Sequence, residues 1–291
     1  MTEVHTQVLG GTARVLSSSA TLPVMGGWMR TAAVSISGAI SYRQWSEACT
    51  LHVTLERSFA SQKERGGRST PPSDRKGAVS FLPANAERAG EVLPGTVLGV
   101  EVCLPKHRIE EVCEQRLDKT WQGTRDAHDA RAFAFVEALD RALRGAGEPL
   151  LIDTMMVGLA RHLGQRHGGA DRRYDDAWLH PAALKRVVER IRSTPADPPG
   201  LAELAALAGL GVSAFLRGFR GSIGATPAAF SRRVRTEQAR GLVEATDMPL
   251  SEVALHTGFH SASHLARVFT AQFGHPPGAR RTLMRTVTKS A

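Results

Sequence analysis

One face of a predicted helix around residue 265 carries side chains that can bond an external partner. The face consists of Ala262, Ser263, His264 and Arg267. The planar fork of Arg267 can donate two parallel hydrogen bonds, which is the pattern that guanine O6 and N7 accept in a DNA major groove. Ser263 and His264 can bond base edges or phosphates, whereas Ala262 can contact only the methyl group of thymine. These residues are candidate DNA contacts, with an ordinary exposed helix face as the alternative.

A second candidate face lies upstream. It consists of Ser213, Leu216, Arg217 and Arg220. Arg217 corresponds to Arg267, and Leu216 could distinguish thymine only through its methyl group. We predict DNA contacts for this face also.

The downstream face needs a helix, a tight turn and a second helix to position it, and the segment between Ser251 and Phe273 predicts these elements. Gly258 supplies the conformational freedom of a sharp turn, and Ser261 can cap the second helix. The N-terminal turn of that helix, with its unpaired N–H groups, would then meet the nucleic acid. The first helix has a small apolar face of Val253, Ala254 and Leu255, and the second has Leu265, Val268 and Phe269 at helical spacing. The pattern is typical of a helix-turn-helix motif.

The same pattern occurs twice in register. Four pairs of identical residues stand 50 positions apart: Arg217 and Arg267, Phe219 and Phe269, Gly224 and Gly274, and Pro227 and Pro277. Three further pairs stand 49 positions apart: Leu204 and Val253, Ala205 and Ala254, and Gly209 and Gly258. A period near 50 indicates duplicated helix-turn-helix subdomains.

A long helix is predicted between the two motifs. Thr226 and Pro227 are a strong helix start, because threonine caps the first turn and proline is tolerated at its first position. A helix from there to about Ala245 has roughly 19 residues and a length of about 28 Å. Since one DNA turn rises about 34 Å, two recognition helices could enter successive major grooves. The arginines expected to face solvent or phosphate are Arg232, Arg233 and Arg235.

This region resembles the DNA-binding domain of the AraC/XylS family of transcription regulators. The resemblance is carried by LAELAALAG (201–209), IGATPAAF (223–230), EVALHTGF (252–259) and ARVFTAQFGHPP (266–277). It implies that residues 213–220 and 262–269 are recognition helices that insert into major grooves. Gly218 inside the first of them, and Arg280 where the family often has an aromatic residue, depart from the pattern.

The resemblance also implies a cytoplasmic regulator that binds double-stranded DNA, with RNA polymerase as a possible partner. An activator is the form expected, although the residues do not fix whether transcription rises or falls. We predict control by a small-molecule effector or by dimerisation through an N-terminal domain. The residues of an effector site cannot be assigned from the sequence, and no cofactor or catalytic residue is expected.

Positive charge is concentrated in the repeated region. The chain of 291 residues has a formal net charge of +9, and residues 180–291 contain 15 basic against 7 acidic side chains. Residues 1–179 contain 22 basic against 21 acidic side chains. A DNA partner explains this distribution, because basic side chains that neutralise phosphates release counterions. A basic surface that serves solubility, the alternative, would not require the concentration.

Residues 20–105 predict β structure. The segments are AVSISGAISY (33–42), TLHVTLERSF (50–59), AVSFLP (78–83) and TVLGVEVCL (96–104). They are rich in β-branched residues and separated by Gly, Pro and Ser, which suits a small cupin-like barrel or a sandwich. The polar segment 61–77 reads as a loop between strands. Two amphipathic helices follow, over residues 128–143 and 150–163.

These elements predict an α+β chain in four parts. They are a β-rich effector-sensing or dimerisation domain with two flanking helices (1–170), a linker (171–179), an all-α DNA-binding domain whose two helix-turn-helix subdomains are joined by a long helix (180–285), and a tail (286–291). By the resemblance, the flanking helices join two subunits, which implies a homodimer. Packing of both helices on the barrel explains their pattern equally well.

Other kinds of site find little support in the sequence. The three cysteines form no Cys-x-x-Cys pair, which gives no sign of a disulfide framework or zinc site and favours a reducing cytoplasm. No segment approaches the roughly 18 apolar residues of a membrane span. His256, His260 and His264 stand four apart, but the turn at Gly258 is expected to send them in different directions, so no metal site is predicted.

Two other functions remain open. An N-terminal enzyme or metal-binding barrel would need clustered histidines and carboxylates, an activated thiol or a GxSxG motif. His52 and His107 are the only histidines among residues 20–110. A non-specific DNA-binding protein would bind every duplex equally at fixed salt. We predict a sequence-specific transcription regulator that is not an enzyme.

Overall fold

The chain folds as two compact units. The computed structural model describes residues 4–10, 12–19, 22–59, 76–117, 121–145, 149–169 and 177–279. One unit, here called the N-terminal unit, comprises Met1–Asp176 with Ser222–Gly224; the other, the helical unit, comprises Ala177–Gly221 with Ala225–Ala291. Most of the predicted loop 61–77, linker residues 171–176, Arg280 and the tail 286–291 lie outside the described residues.

Two antiparallel sheets form the β part of the N-terminal unit. The strands are β1 (Val4–Gly10), β2 (Ala13–Ser18), β3 (Leu22–Val24), β4 (Gly27–Ile36), β5 (Ile40–Ser46), β6 (Cys49–Phe59), β7 (Ala78–Leu82), β8 (Ala86–Val92), β9 (Gly95–Leu104) and β10 (Thr124–His128). One sheet has the order β1-β5-β8, and the larger has the order β10-β7-β6-β9-β4-β2 with β3 beside β4. The predicted order, a β-rich region followed by a helical region, is confirmed. Closure of the sheets into a barrel stays a prediction.

The segment 33–42, predicted as one β segment, contains the end of one strand and the start of the next. β4 ends at Ile36 and β5 begins at Ile40, and the two strands belong to different sheets. Alternation of apolar and polar residues continues through Ser37 and Gly38, so the pattern contains no break. β8 lies within the range predicted as β structure but in none of the four named segments, because its sequence AERAGEV is polar. Its residues alternate between half-buried and exposed.

Three helices complete the N-terminal unit. They are α1 (Lys106–Cys113), α2 (Ala130–Arg144) and α3 (Pro149–His167). The apolar faces predicted for α2 and α3 are buried, with Phe135, Met156 and Leu159 fully enclosed. α2 packs against α3, β6 and β7, and α1 packs against α3. α2 therefore packs on the larger sheet, as the alternative to a subunit interface expects, whereas α3 packs mainly against α1 and α2.

A buried carboxylate joins α2 to α3. Asp129 caps α2 by accepting from the Ala132 N–H at 3.0 Å, and His162 Nε2 and Arg166 Nε lie 2.8 and 3.1 Å from its Oδ2 atom. Burial alone raises the pKa of Asp129. The hydrogen bond and charge of His162, the Ala132 N–H and Arg166 outweigh that effect and hold it at about 2.

Acid is therefore expected to weaken this connection. A carboxyl whose folded pKa is below its ordinary value of 3.8 stabilises the fold above that value, and the contribution is lost as pH falls towards 2. The free energy of unfolding should fall by on the order of 2 kcal/mol from this group. Urea denaturation from pH 5 to pH 2 measures it. Asp129→Asn keeps an acceptor for the cap and should flatten the profile, whereas parallel profiles for the two proteins would contradict the assignment.

Six helices form the helical unit. They are α4 (Pro181–Ser193), α5 (Leu201–Leu207), α6 (Val212–Ile223), α7 (Pro227–Ala245), α8 (Leu250–His256) and α9 (Ala262–Phe273). α4 buries one face through Leu184, Val187, Val188 and Ile191. Phe215, Phe219 and Phe230 pack ring against ring. A second cluster joins α7 to α8 and α9 around Val253, Leu265 and Phe269.

Four glycines confirm the sequence repeat in backbone geometry. Gly209 and Gly258 have φ values of +69° and +72° in the turns of the two motifs. Gly224 and Gly274, after the second helix of each motif, have φ values of +83° and +77°. L-residues rarely adopt this conformation, so the sequence keeps glycine at the same place in both copies.

No single helix in the described ranges is both long and apolar enough to cross a membrane, although α5 and α6 satisfy the two criteria as a bent pair.

Candidate nucleic-acid interface

The turn between α8 and α9 fixes the start of α9. Thr257 and Gly258 follow the last residue of α8. Ser261 accepts from the His264 N–H at 3.1 Å, which confirms the predicted cap. The cap satisfies one N–H group and leaves others of the first turn available to an anionic partner. A Cβ atom on Gly258 would lie 2.3 Å from the Pro195 carbonyl oxygen, so the turn packs directly against the end of α4.

The face predicted on α9 points outward. Ser263 and Arg267 are exposed, Ala262 and His264 are half-buried, and Leu265 and Phe269 are fully buried behind them. The His264 ring contacts the Phe259 ring edge-on at 5.4 Å. Arg267 therefore projects from a helix whose opposite face is fixed in the core.

The expectation for the three histidines was wrong in one respect. His260 and His264 do not diverge, since their rings are parallel with centroids 5.8 Å apart. Both residues follow the turn at Gly258, His260 directly before the Ser261 cap and His264 in the first turn of α9, so the turn does not separate their rings. No group of three or more His, Cys, Asp and Glu side chains able to hold a metal ion occurs within the described ranges.

The first motif presents a similar face on α6. Ser213, Arg217 and Arg220 are exposed. Leu216 is half-buried and lines a groove of the helical unit together with Leu204 and Pro227. Its candidate role at thymine stays a prediction, and its position in the groove supplies a packing role as well.

Gly218 has a packing role that explains its presence inside α6. A Cβ atom there would lie 3.1 Å from Leu179 Cδ2, which is tighter than ordinary contact. Leu179 is itself buried. Glycine in the middle of a helix costs up to about 1 kcal/mol relative to alanine, and here it permits a close approach.

The helix between the motifs has the predicted start and end. Thr226 accepts from the Ala229 N–H at 3.2 Å, Pro227 follows the cap, and the 19 residues of α7 end at Ala245. A helix of this length spans about 28 Å. α7 packs against α4, α8 and α9, so it belongs to the cores of both motifs.

One arginine of α7 has a role that the sequence did not indicate. Arg232 and Arg233 are exposed as predicted, but Arg235 is half-buried, donates to the Gly258 carbonyl at 2.9 Å and lies over the Phe259 ring at 5.4 Å. Burial, together with the charge of Arg232, lowers the pKa of Arg235. Arg235 therefore connects α7 to the turn before α9. Three closely spaced arginines read as a solvated face, and nothing in the sequence distinguishes the third.

The thiols of the N-terminal unit differ from reactive cysteines. Cys49 and Cys103 are buried and Cys113 is half-buried, and all three are free. Burial raises the pKa of Cys49 to about 12 and those of Cys103 and Cys113 to about 11. A nucleophilic thiol needs the opposite shift.

Comparison with known proteins identifies the helical region. Residues 204–282 match the family model described as a helix-turn-helix domain. The chain is 28% identical over 98 residues to the HTH-type transcriptional regulator MtrA of Neisseria gonorrhoeae, covering 34% of this chain and 33% of MtrA. It is 31% identical over 102 residues to the HTH-type transcriptional regulator GlxA of Rhizobium meliloti, covering 35% and 31%. The chain thus spans about a third of the length of these curated relatives.

Solved structures give matches over the same share of the chain. The DNA-binding domain of AdpA, a global transcriptional factor in complex with a target DNA, is 28% identical, with 38% of this chain and 98% of that domain covered and a TM-score of 0.34. A probable AraC family transcriptional regulator from Rhodopseudomonas palustris is 31% identical, with coverages of 35% and 96% and a TM-score of 0.33. Residues 204–282 are therefore a helix-turn-helix domain, as predicted from the sequence.

Proposed function

We propose that the chain is a sequence-specific transcription regulator that binds double-stranded DNA through α6 and α9. The observation that carries the proposal is the duplicated motif. Two helices with exposed arginines at corresponding positions, Arg217 and Arg267, stand on either side of one capped 19-residue helix. A helix length of about 28 Å is close to the rise of one DNA turn, which suits entry into successive major grooves.

Within this proposal the candidate residues have different tasks. Arg217 and Arg267 are proposed to bond guanine, because their exposed forks can donate two hydrogen bonds each. Ser213, Arg220, Ser263 and His264 are proposed to bond base edges or phosphates. Ala262 and Leu216, both half-buried, are left with apolar contacts to thymine.

The N-terminal unit is proposed to control DNA binding by sensing a small-molecule effector or by forming a homodimer. An effector that binds one arrangement of the protein more tightly shifts the population towards it. The setting is proposed to be the cytoplasm, with RNA polymerase as a further partner. The free state of the three cysteines supports a reducing compartment. Their raised pKa values give no support to a thiol enzyme.

Selection from random DNA with the full chain tests this function. The enriched sequences should contain two short elements about one helical turn apart. The selected duplex should bind at least about a thousandfold more tightly than a scrambled duplex of equal length at the same salt concentration. Equal affinity for the two duplexes would replace the proposal with non-specific DNA binding.

A further inference from the structure

A cavity of about 330 Å³ lies between the two sheets of the N-terminal unit. Side chains from both sheets line it, so it is formed within this unit alone. Cavities of a few hundred Å³ with convergent polar groups are the usual form of small-molecule sites. The position of each lining residue follows from strand register.

One end of the cavity is polar on both sheets. Four paired residues form a row across the larger sheet: Ser80, His52, Glu101 and Arg30. Three paired residues form the facing row on the smaller sheet: Thr6, Gln44 and Arg88. Arg88 donates to Gln44 Oε1 at 2.8 Å, and Gln44 donates to Glu101 at 3.1 Å. The two polar rows therefore meet at the same end.

Strand register also places apolar residues of both sheets at the other end of the cavity. Val34 pairs with Val97 on the larger sheet, and Ile40 pairs with Val92 on the smaller. Ile36, Ile40 and Val97 are buried together as one cluster. A bound molecule would thus meet hydrogen-bonding groups at one end and mainly hydrocarbon at the other.

Small residues between the two ends leave the space open. Thr54, Gly99 and Ala32 pair across the larger sheet between the polar row and the valines. The resulting volume is about twice that of a roughly 150 Å³ apolar cavity that holds benzene. It suits one ring with a short chain, two fused rings, or a chain of about eight carbons.

The charges that line the cavity favour an anion. Three arginines and two glutamates are present: Arg30, Arg88, Arg125, Glu91 and Glu101. Glu101 is matched by Arg30 at 2.9 Å, and Glu91 is exposed. Burial, with the charge of Arg88, lowers the pKa of His52 to about 4, so at neutral pH the ring is uncharged and can donate one hydrogen bond. The charged side chains that line the cavity therefore sum to one positive charge.

We propose that this cavity binds a small organic monocarboxylic acid. The carboxylate lies at Arg88, Gln44 and His52, and the apolar body lies against Ile36, Ile40 and Val97. A guanidinium group and a carboxylate have matching planar geometry, which explains the preference over a neutral alcohol or amide. The proposal rests on the proposed function, since the acid would be the effector sensed by the N-terminal unit.

Calorimetric titration of the full chain tests the ligand class with 3-phenylpropanoate, octanoate and 2-naphthoate, each beside its primary amide. At least one acid should bind about ten- to a hundredfold more tightly than its amide, because the amide lacks the charge-assisted hydrogen bonds. Equal affinity for acid and amide in every pair overturns the proposal. Absence of binding by all three acids overturns it as well.

Three variants locate the site. Arg88→Gln should abolish the preference for the acid. Arg43→Gln, in which the replaced arginine pairs with exposed Glu87, should bind within about twofold of the unchanged protein. Ala32→Leu fills the middle of the cavity and should weaken both acid and amide. Binding that survives both Arg88→Gln and Ala32→Leu overturns the location.

DNA selection with the same protein separates the two proposals. Acid binding without sequence-specific DNA binding supports the cavity assignment and contradicts the regulator. Sequence-specific DNA binding without acid binding supports the regulator and overturns the ligand assignment.

Discussion

Replacement of Gly258 by alanine is expected to destabilise the second helix-turn-helix motif by roughly 2 to 5 kcal/mol. The left-handed backbone, with φ at +72°, costs an L-residue about 1 to 2 kcal/mol. The added Cβ would also lie 2.3 Å from the Pro195 carbonyl oxygen, and the backbone must shift to accommodate it. Such shifts cost about 1 to 3 kcal/mol. The turn that sets the start of α9 would open far more often.

Gly209 supplies the matched control. It occupies the same place in the first motif with φ at +69°, but a Cβ there would meet nothing within 4 Å. Gly209→Ala should therefore cost only the backbone contribution of about 1 to 2 kcal/mol. Hydrogen exchange of α5–α6 and α8–α9 peptides in the full chain measures both changes. Equal losses at the two glycines would refute the role of the Pro195 contact.

Replacement of Arg267 by alanine is expected to weaken binding to the selected duplex by about 1 to 3 kcal/mol, a factor of roughly 10 to 150. Arg267 is exposed on α9, whose core residues Leu265 and Phe269 are untouched by the change, so folding should be unaffected. Affinity for a scrambled duplex should fall much less, because that duplex loses only the attraction of one charge, whereas the selected duplex also loses a base contact. Gel-shift titration at one salt concentration measures both duplexes.

Two further variants distinguish a base contact from a phosphate contact. Arg267→Lys keeps the charge but lacks the fork, so it should restore scrambled-duplex binding and leave specific binding weak. Lys185→Ala removes a charge from α4, where the lysine pairs with Glu189, and should change specific affinity by less than about threefold. Specific affinity in Arg267→Ala equal to that of the unchanged chain would exclude this arginine from the interface.

The helical unit was predictable because its signals are local. Gly258 and Gly209 mark turns, Thr226 and Ser261 are caps, and apolar residues recur at helical spacing. Each signal acts within one turn of a helix, and the structure confirms the turns and caps at the same residues. The apolar face of α8 was wrong at Leu255, which is 72% exposed because only Val253 and Ala254 face the core. Arg235 was misjudged because its partner, the Gly258 carbonyl, is 23 residues away along the chain.

The cavity could not be derived in the same way. His52 lies on a predicted strand, but alternation does not say which face of a strand is inside. That choice depends on pairing with Glu101, 49 residues away, and on a facing sheet whose strands β1 and β8 have few apolar residues at regular spacing. Charged strand residues such as Arg30 and Arg88 are predicted to be exposed as long as the packing of the two sheets is unknown.

The three free thiols make this protein convenient for spectroscopic labelling. With pKa values near 11 or 12, they carry roughly a hundredfold or more less thiolate at neutral pH than an ordinary exposed cysteine. A single cysteine introduced at exposed Ser213 or Ser263 would react first with a maleimide or methanethiosulfonate reagent. The pair of substitutions would allow the separation of α6 and α9 to be measured by pulsed electron spin resonance without removal of any native cysteine.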